Sequence, residues 1–348
     1  GFGGVFKASG VRGFGHASHF AVKRLDSDSL QGQAEFLQEV QVLGACRHEH
    51  LLPLIGFSAD GGEDGRVCLV FPLMQGGSLQ DRLAPQQGRE PLAWPDRLRA
   101  SVSVLEALDY LHTPDPAAYK PAILHRDIKP ANILLDADGL VRLSDVGLAK
   151  MQRDGRTHIS LTAVAGTNGF IDPNYIQTGH YDAASDAYSL GVTVLMLLTG
   201  WPAFEAGTTI FDRCEGQDAM AVADRQAGWP PDKAAEMLRV GLRLAEPRRR
   251  ARMQVAEALA ALTRLVEPAD AGGGVAGIVE RECLLCMAAP KATRLGCGHS
   301  TYCRPCLQLA LSRPNPACPY CRGPVARQAV VEGDDIAQQD TFVMPIAR

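Results

Sequence analysis

Residues 125–132 read His-Arg-Asp-Ile-Lys-Pro-Ala-Asn, and the apolar stretch after them is interrupted once, by Asp138-Gly139. Two short apolar runs around an Asp-Gly pair predict a β-hairpin, because this pair favours the tight turn between antiparallel strands. Asn132 lies just before the first strand and Asp145 just after the second. Since paired strands lie about 5 Å apart, the hairpin is expected to bring these two side chains together.

The chemistry of this pair indicates a hard metal ion. The carboxylate of Asp145 and the amide oxygen of Asn132 are the kind of ligands that hold Mg²⁺ beside substrate phosphates. A lone His-Arg-Asp triplet is more often a loop of solvated charges. Here the triplet, the asparagine and the aspartate follow one another in order, which favours phosphoryl transfer.

These motifs resemble the catalytic loop and the Asp-x-Gly segment of protein kinases, and the resemblance covers roughly residues 1–266. It implies an α+β, two-lobed protein-kinase-like domain that uses ATP and Mg²⁺ to phosphorylate protein substrates. Asp127 would orient the substrate hydroxyl and accept its proton, and Lys129 would neutralise charge on the transferring phosphoryl group. Lys129 and Thr167 fit serine/threonine rather than tyrosine specificity.

The resemblance also assigns residues near the N-terminus to the nucleotide. Lys23 ends an apolar strand and resembles the kinase lysine that grips the nucleotide phosphates, with Glu39 as its expected partner. Glu39 lies at the edge of the inward face of a helix predicted over 33–43, where an unpaired carboxylate is expensive. Further nucleotide contacts are implied at Gly3, Val5, Ala21 and Leu134, of which Gly3 and Val5 belong to the end of a glycine-rich loop whose first strand is absent.

The segment 166–175, Gly-Thr-Asn-Gly-Phe-Ile-Asp-Pro-Asn-Tyr, resembles the end of the activation loop in receptor-like and Pelle-type kinases. Arg126 beside the catalytic aspartate suggests control by phosphorylation of that loop, because a phosphate there could pair with the arginine. Candidate phosphorylation sites are Thr157, Ser160 and Thr162.

Two residues depart from the family pattern. Val146 replaces the usual phenylalanine and removes bulk from an internal packing column that includes His125 and Leu43. Asn174 replaces the usual glutamate, so its expected partner Arg250 is predicted to lose a buried counter-charge. Neither change touches a phosphoryl-transfer group, and an active kinase and a pseudokinase scaffold both stay open.

The C-terminal segment has metal-ligand spacing. Seven of the ten cysteines fall in it, and Cys46, Cys68 and Cys214 elsewhere are interpreted as small buried hydrophobes. Eight soft or borderline ligands make two complete tetrahedral sets, which is how closed structural zinc sites are built. The predicted ligands are Cys283, Cys286, Cys297, His299, Cys303, Cys306, Cys318 and Cys321.

This spacing resembles the RING finger of ubiquitin ligases. The resemblance implies two Zn²⁺ in a cross-brace, with the first and third ligand pairs on one ion and the second and fourth on the other. It also implies a groove for a ubiquitin-conjugating enzyme that includes Leu285 and Pro319, with Arg322 contacting both that enzyme and ubiquitin. A purely structural zinc module remains the alternative, since Leu285 and Pro319 could simply pack around zinc.

The predicted organisation is a kinase domain at 1–266, a flexible glycine-rich linker at 267–279, a RING domain at 280–325 and a tail at 326–348. A net charge of −4 gives no indication of a nucleic-acid partner. The longest apolar run, 189–199, is too short to span a membrane and predicts a buried helix instead. Without a recognisable secretory signal the cytoplasm or nucleus is expected, and a targeting segment ahead of Gly1 stays open.

Overall fold

The computed structural model describes residues 3–9, 19–26, 30–59, 66–84, 90–116, 120–152, 158–160 and 165–266, together with 293–294, 300–302 and 331–332. The predicted α+β class is confirmed: a small sheet-rich lobe precedes a larger helical lobe.

The first lobe is an antiparallel sheet of four strands with one helix, in the strand order β1-β2-β4-β3. The apolar strand predicted at Lys23 is present and runs from His19 to Asp26. The helix predicted over 33–43 is present, and it buries Phe36 and Leu43. The elements are β1 (Gly3–Ser9), β2 (His19–Asp26), α1 (Leu30–Ala45), β3 (Gly56–Ser58) and β4 (Arg66–Pro72).

The second lobe is built around helices. Those within the described residues are α2 (Leu79–Leu83), α3 (Trp94–His112), α4 (Pro173–Thr178), α5 (Ala183–Thr199), α6 (Ile210–Cys214), α7 (Ala219–Val222), α8 (Pro231–Leu244) and α9 (Val255–Thr263). Short strands connect them: β5 (Gly77–Ser78), β6 (Ile123–Leu124), β7 (Ile133–Leu135), β8 (Val141–Leu143), β9 (Lys150–Met151), β10 (Ile159–Ser160), β11 (His180–Tyr181), β12 (Phe204–Glu205) and β13 (Thr208–Thr209).

Helix α5 forms the centre of this lobe, and the prediction of a buried helix over its apolar run is confirmed. Its neighbour α8 approaches it closely at two glycines. A Cβ added at Gly191 would lie 2.3 Å from the Ala245 backbone nitrogen, and one at Gly241 would lie 2.7 Å from Leu195 Cδ2. These glycines are therefore required by packing, because no larger side chain fits between the two helices.

The predicted hairpin is also confirmed. Strands β7 and β8 pair antiparallel, with Ile133 opposite Leu143. Gly139 takes a φ of +86°, which suits glycine, and the Asp136 side chain accepts hydrogen bonds from the backbone of Asp138 and Leu140. The hairpin fixes where the residues at its two open ends meet.

A buried histidine joins the loop after α1 to both α3 and the hairpin. His50 Nδ1 lies 2.9 Å from the Val141 carbonyl oxygen, and Nε2 lies 3.1 Å from Glu106 and 3.2 Å from Glu49. Burial by itself would lower the pKa of His50, but hydrogen bonds to Glu106 and Glu49 outweigh it and raise the pKa to about 9. In its protonated form, the His50 side chain therefore connects the loop after α1 to α3 and to the hairpin.

This histidine predicts a pH-dependent stability. Because its folded pKa exceeds the unfolded value, its contribution is complete below about pH 6.5 and is lost as pH rises through about 9. We expect the free energy of unfolding of the wild type, relative to His50→Gln, to fall by about 1–3 kcal/mol across that window. Urea titrations at several pH values measure this difference, and a pH-independent difference would contradict it.

The C-terminal part contains three short strands in the order β15-β14-β16: β14 (Thr293–Arg294), β15 (Ser300–Tyr302) and β16 (Val331–Glu332).

Among the described residues no helix is both long and apolar enough to cross a membrane. Cys46 and Cys214 are buried as expected, whereas Cys68 is only half-buried, because it lies on the opposite face of its strand from the buried Val67 and Leu69.

Candidate active site

The open end of the hairpin places Asn132 beside Ser144, the residue before Asp145, and the predicted meeting of the Asn132 and Asp145 side chains stays a prediction. The Ser144 backbone nitrogen donates to the Asn132 carbonyl oxygen at 2.8 Å, which holds the residues flanking the strands side by side. Asp145 follows directly, and its φ of 61° lies in a region that non-glycine residues rarely adopt. Such strain is maintained only where surrounding contacts fix it, and it is commonest at functional sites.

Asp145 also contacts the first lobe through a lysine. Lys23 Nζ donates to Glu39 at 2.5 Å and to Asp145 at 2.9 Å, so the predicted Lys23–Glu39 pair is confirmed and extended. Glu39 is 1% exposed, whereas the Asp145 carboxylate is 43% exposed and keeps a face toward solvent. Gly147 passes beside both carboxylates, since a Cβ there would lie 3.3 Å from Glu39 and 3.4 Å from Asp145.

The charges of this triad reinforce one another. Burial alone would lower the pKa of Lys23, but Glu39 and Asp145 outweigh it and raise that pKa. Burial would raise the pKa of Asp145, but Lys23 outweighs it and lowers that pKa. Asp145 is therefore an anion near neutral pH, which is the form a metal ion needs.

The catalytic-loop residues form a second cluster. Lys129 Nζ donates to Asp127 Oδ2 and to Thr167 Oγ1, each at 2.7 Å. Thr167 Oγ1 donates to the other Asp127 oxygen at 2.8 Å, and Asn132 Nδ2 donates to Oδ2 at 2.9 Å. The Asp127 carboxylate is thus held in one orientation by three neighbours.

A buried aspartate fixes the start of this loop. Asp186 on α5 accepts the backbone N–H groups of His125 at 2.9 Å and Arg126 at 2.8 Å. The Tyr181 hydroxyl donates to it at 2.7 Å, and His112 Nε2 lies 2.8 Å away. Burial would raise the pKa of Asp186, but the His112 hydrogen bond and nearby charges lower it.

Tyr181 and His112 were not singled out from the sequence, and Asp186 was given no role of its own. A signal was present: an aspartate inside an otherwise apolar helix must find partners, because a buried unpaired charge is expensive.

The predicted nucleotide contacts lie on two sheets. Val5 pairs directly with Lys23 in the β1–β2 register, and Ala21 is two residues earlier on β2, so all three share one face. Gly3 begins β1, and Val5 is well exposed on it. Leu134 lies in the hairpin, half-buried against the core. Their roles as nucleotide contacts stay predictions.

Val146, one of the two departures from the family pattern, lies in the core of the protein. Val146 is 1% exposed and belongs to the same hydrophobic core as Leu43.

Arg126, the residue before the catalytic aspartate, donates to the Leu148 carbonyl oxygen at 2.8 Å, and its guanidinium lies over the Tyr181 ring. The candidate phosphorylation sites Thr157 and Thr162, and the side chain of Ser160, lie outside the described residues.

The expectation of a stranded buried charge at Arg250 is wrong. Arg250 is exposed to solvent, so the glutamate that Asn174 replaces leaves no uncompensated charge inside the protein. The buried arginine is instead Arg252, which pairs with Asp172 through two contacts of 2.9 Å. Both of those side chains are 1% exposed.

No cluster of three or more histidine, cysteine or acidic residues that could hold a metal occurs in the described part of the chain. A magnesium ion bound with nucleotide needs fewer protein ligands, because phosphates and water supply the others. The eight predicted zinc ligands and the predicted partner residues Leu285, Pro319 and Arg322 all lie outside the described residues.

Comparison with known proteins agrees with this geometry. The family model for the protein kinase domain matches residues 1–261, and that for the C3HC4-type zinc finger (RING finger) matches residues 279–328. The chain therefore belongs to the protein kinase family and carries a C-terminal RING-type zinc finger. Its kinase domain implies ATP and Mg²⁺, and its RING finger implies zinc.

Plant proteins are among its relatives. The chain is 40% identical to U-box domain-containing protein 52 of Arabidopsis thaliana, over 73% of this chain and 30% of the relative. It is 44% identical to EPD1-interacting receptor-like cytoplasmic serine/threonine-protein kinase 5D of Gossypium barbadense, over 58% and 42%. It is 45% identical to serine/threonine-protein kinase PBL13 of Arabidopsis thaliana, over 53% and 35%. The chain thus spans well under half the length of these relatives.

Proposed function

We propose that this chain is an active kinase that transfers the γ-phosphoryl group of ATP to serine or threonine residues of protein substrates. The observation that carries this proposal is the continuous set of contacts from Glu39 through Lys23 to Asp145, next to an Asp127 carboxylate that Lys129 and Thr167 both hold. These contacts support the proposal because phosphoryl transfer depends on positioned charged groups.

The residues divide the chemistry as follows. Lys23 would bind the nucleotide phosphates, and Asn132 and Asp145 would hold Mg²⁺, which supplies charge neutralisation when bound. Asp127 orients the substrate hydroxyl, whose oxygen forms a bond to the γ-phosphorus while the bond from that phosphorus to the bridging oxygen of ADP breaks. The hydroxyl proton passes to the Asp127 carboxylate, and Lys129 donates to the transferring group.

The experiment is a phosphorylation assay on the purified chain with Mg·ATP, followed by identification of the phosphorylated residue type. The wild type is expected to label serine or threonine, and Asp127→Asn is expected to be slower by about 10²–10⁴-fold, since a positioned general base contributes that much. Equal labelling by both proteins would contradict the assignment. Absence of labelling in both would favour the pseudokinase scaffold instead.

The departures from the family pattern do not favour that scaffold on packing grounds. Val146 is buried within a continuous core, and Asn174 leaves an exposed arginine, whose loss of a partner costs little. We therefore retain the pseudokinase only as the outcome of a negative assay.

For the C-terminal segment we propose a cross-braced RING domain at 280–325 that recruits a ubiquitin-conjugating enzyme and promotes ubiquitin transfer. The support is the complete set of eight ligands together with the match to the RING finger family. A chain piece of this size cannot bury a sufficient core by itself, so zinc would supply its folding free energy. With every ligand position filled by protein, the zinc ions would be structural rather than catalytic.

Metal content tests the number of zinc ions. Elemental analysis of the purified chain is expected to give about two Zn²⁺ per molecule, and Cys303→Ser, which removes one ligand of one set, is expected to reduce that value toward one. The neighbouring Ser300→Ala, which removes no predicted ligand, serves as the control. A wild-type value of one or fewer would contradict the paired ligand sets.

Discharge of ubiquitin from a charged conjugating enzyme tests the recruitment role. Arg322→Ala is expected to slow discharge by about tenfold or more, because a guanidinium that bridges two proteins makes several charge-assisted hydrogen bonds. Arg313→Ala, a nearby arginine without a predicted contact, is the matched control. If Arg322→Ala discharges ubiquitin as fast as the wild type, the zinc module is structural only.

A further inference from the structure

An open cavity of about 590 Å³ lies on the second lobe, away from the residues assigned to phosphoryl transfer. It is formed where the first turn of α4 meets the segment between α8 and α9. Its lining is Asn174, Arg248, Arg249, Arg250 and Ala251. Three consecutive arginines around one cavity give it a positive character that the chain as a whole, at net −4, does not have.

The three arginines differ in how far they are compensated. Arg248 pairs with Glu246 at 2.9 Å and is 84% exposed, and Arg249 pairs with Asp182 and is 49% exposed. Arg250 is exposed as well and has no hydrogen-bond or ion-pair partner within the described residues. One guanidinium at this cavity is therefore available to an external anion.

The remaining polar wall is neutral. Asn174 is half-buried, and its backbone N–H donates to Asp172 at 2.9 Å, which fixes its position at the start of α4. An acidic residue at position 174 would place a carboxylate in the cavity, and this carboxylate would compensate the positive charge there. An asparagine leaves the positive charge uncompensated and offers an amide that can donate a further hydrogen bond.

We infer that this cavity binds a phosphorylated serine or threonine of a protein segment. A phosphate carries a charge of about −1.5 to −2 at neutral pH and has three acceptor oxygens, which can accept from the Arg250 guanidinium and from the Asn174 amide together, whereas a carboxylate carries −1. The cavity volume exceeds that of a phosphate alone, so it admits the phosphorylated side chain with its neighbours. Most of the residues that line the cavity are exposed, so the opening of the cavity can admit a phosphate that is attached to a protein segment.

The position of the cavity suggests what phosphate binding would do for the protein. This part of the inference rests on the proposed kinase function. Thr167, whose hydroxyl donates to Asp127, precedes Asn174 by seven residues, which an extended chain spans in at most about 25 Å. A segment held by its phosphate could therefore place another hydroxyl near Asp127. The site would select substrates that already carry a phosphoryl group.

The test is direct binding without nucleotide, so that it does not depend on kinase activity. Fluorescence anisotropy is measured with a labelled Gly-Ala peptide containing one phosphoserine and with its unphosphorylated twin. The wild type and Asn174→Gln are expected to prefer the phosphopeptide by about tenfold or more, as a charge-assisted hydrogen bond predicts. Asn174→Glu, which adds an internal carboxylate, and Arg250→Ala are expected to remove that preference.

Two results of the peptide assay would overturn the inference: no preference in the wild type, or an equal preference in Asn174→Glu and Asn174→Gln. Binding of anionic phospholipid vesicles with no preference for the phosphopeptide would overturn it too. Because Arg250 is exposed, Arg250→Ala keeps the test informative if Asn174→Glu fails to fold. A positive binding result beside a negative phosphorylation assay would leave the site standing and refute only the kinase proposal.

Discussion

In the Lys23→Met variant, phosphoryl transfer is expected to fall by about 10²–10³-fold, the usual loss when one preorganised donor to a developing charge is removed. The same change breaks a buried ion pair, because Glu39 is 1% exposed and Lys23 is its donor at 2.5 Å. Leaving such a carboxylate unpaired costs about 3–5 kcal/mol. The variant should therefore lose both activity and stability, measured by steady-state kinetics and by urea unfolding.

A double variant separates the two effects. In Lys23→Met/Glu39→Leu the buried charge is absent, so we expect the free energy of unfolding to return toward that of the wild type. Activity should stay low, because the cation that binds the phosphates is still missing. If the double variant regained activity together with stability, Lys23 would act only through folding, and its assignment to the nucleotide would be wrong.

The second large effect is expected at the buried pair of Arg252 and Asp172. Arg252 donates to both Asp172 oxygens at 2.9 Å and also to the carbonyl oxygens of Ala184 and Glu246. These contacts join the segment before α9 to the starts of α4 and α5. Arg252→Met is expected to lower the free energy of unfolding by about 3–5 kcal/mol, because it removes the counter-charge of the Asp172 carboxylate, which is 1% exposed.

Arg250→Met provides the matched control two residues away. Its side chain is exposed, so the expected change in the free energy of unfolding is within about 0.5 kcal/mol. Chemical denaturation of both variants under the same conditions makes the comparison. Equal destabilisation by the two changes would contradict the exchange of roles between these arginines, and a larger effect at Arg250 would restore the original prediction from sequence.

Much of the second lobe could be predicted from sequence because its signals are local. Asp138-Gly139 determines the hairpin turn, and the hairpin in turn determines that Asn132 lies beside Ser144, directly before Asp145. The apolar run at 189–199 predicted a buried helix, which extends in the structure from Ala183 to Thr199. In each case a short pattern and one geometric rule were sufficient.

The pairing of charges across long sequence separations could not be predicted in the same way. Arg250 and Arg252 lie in one arginine-rich stretch, and only packing decides which of them faces the interior. The bond from Tyr181 to Asp186 likewise depends on how β11 meets α5. Tertiary contacts, and not residue type, determine which charged residues pair. A family sequence pattern therefore predicts these pairs only approximately.

The central claim is that one site, made by the hairpin and by Lys23, holds nucleotide together with Mg²⁺. Isothermal titration with ATP, in the presence and absence of Mg²⁺, tests it on the wild type, Asp145→Asn and Asp138→Asn. The third protein changes an exposed aspartate in the hairpin turn and is the control. We predict that Mg²⁺ tightens ATP binding in the wild type and the control but not in Asp145→Asn. The same Mg²⁺ dependence in all three proteins, or in none of them, would contradict the account.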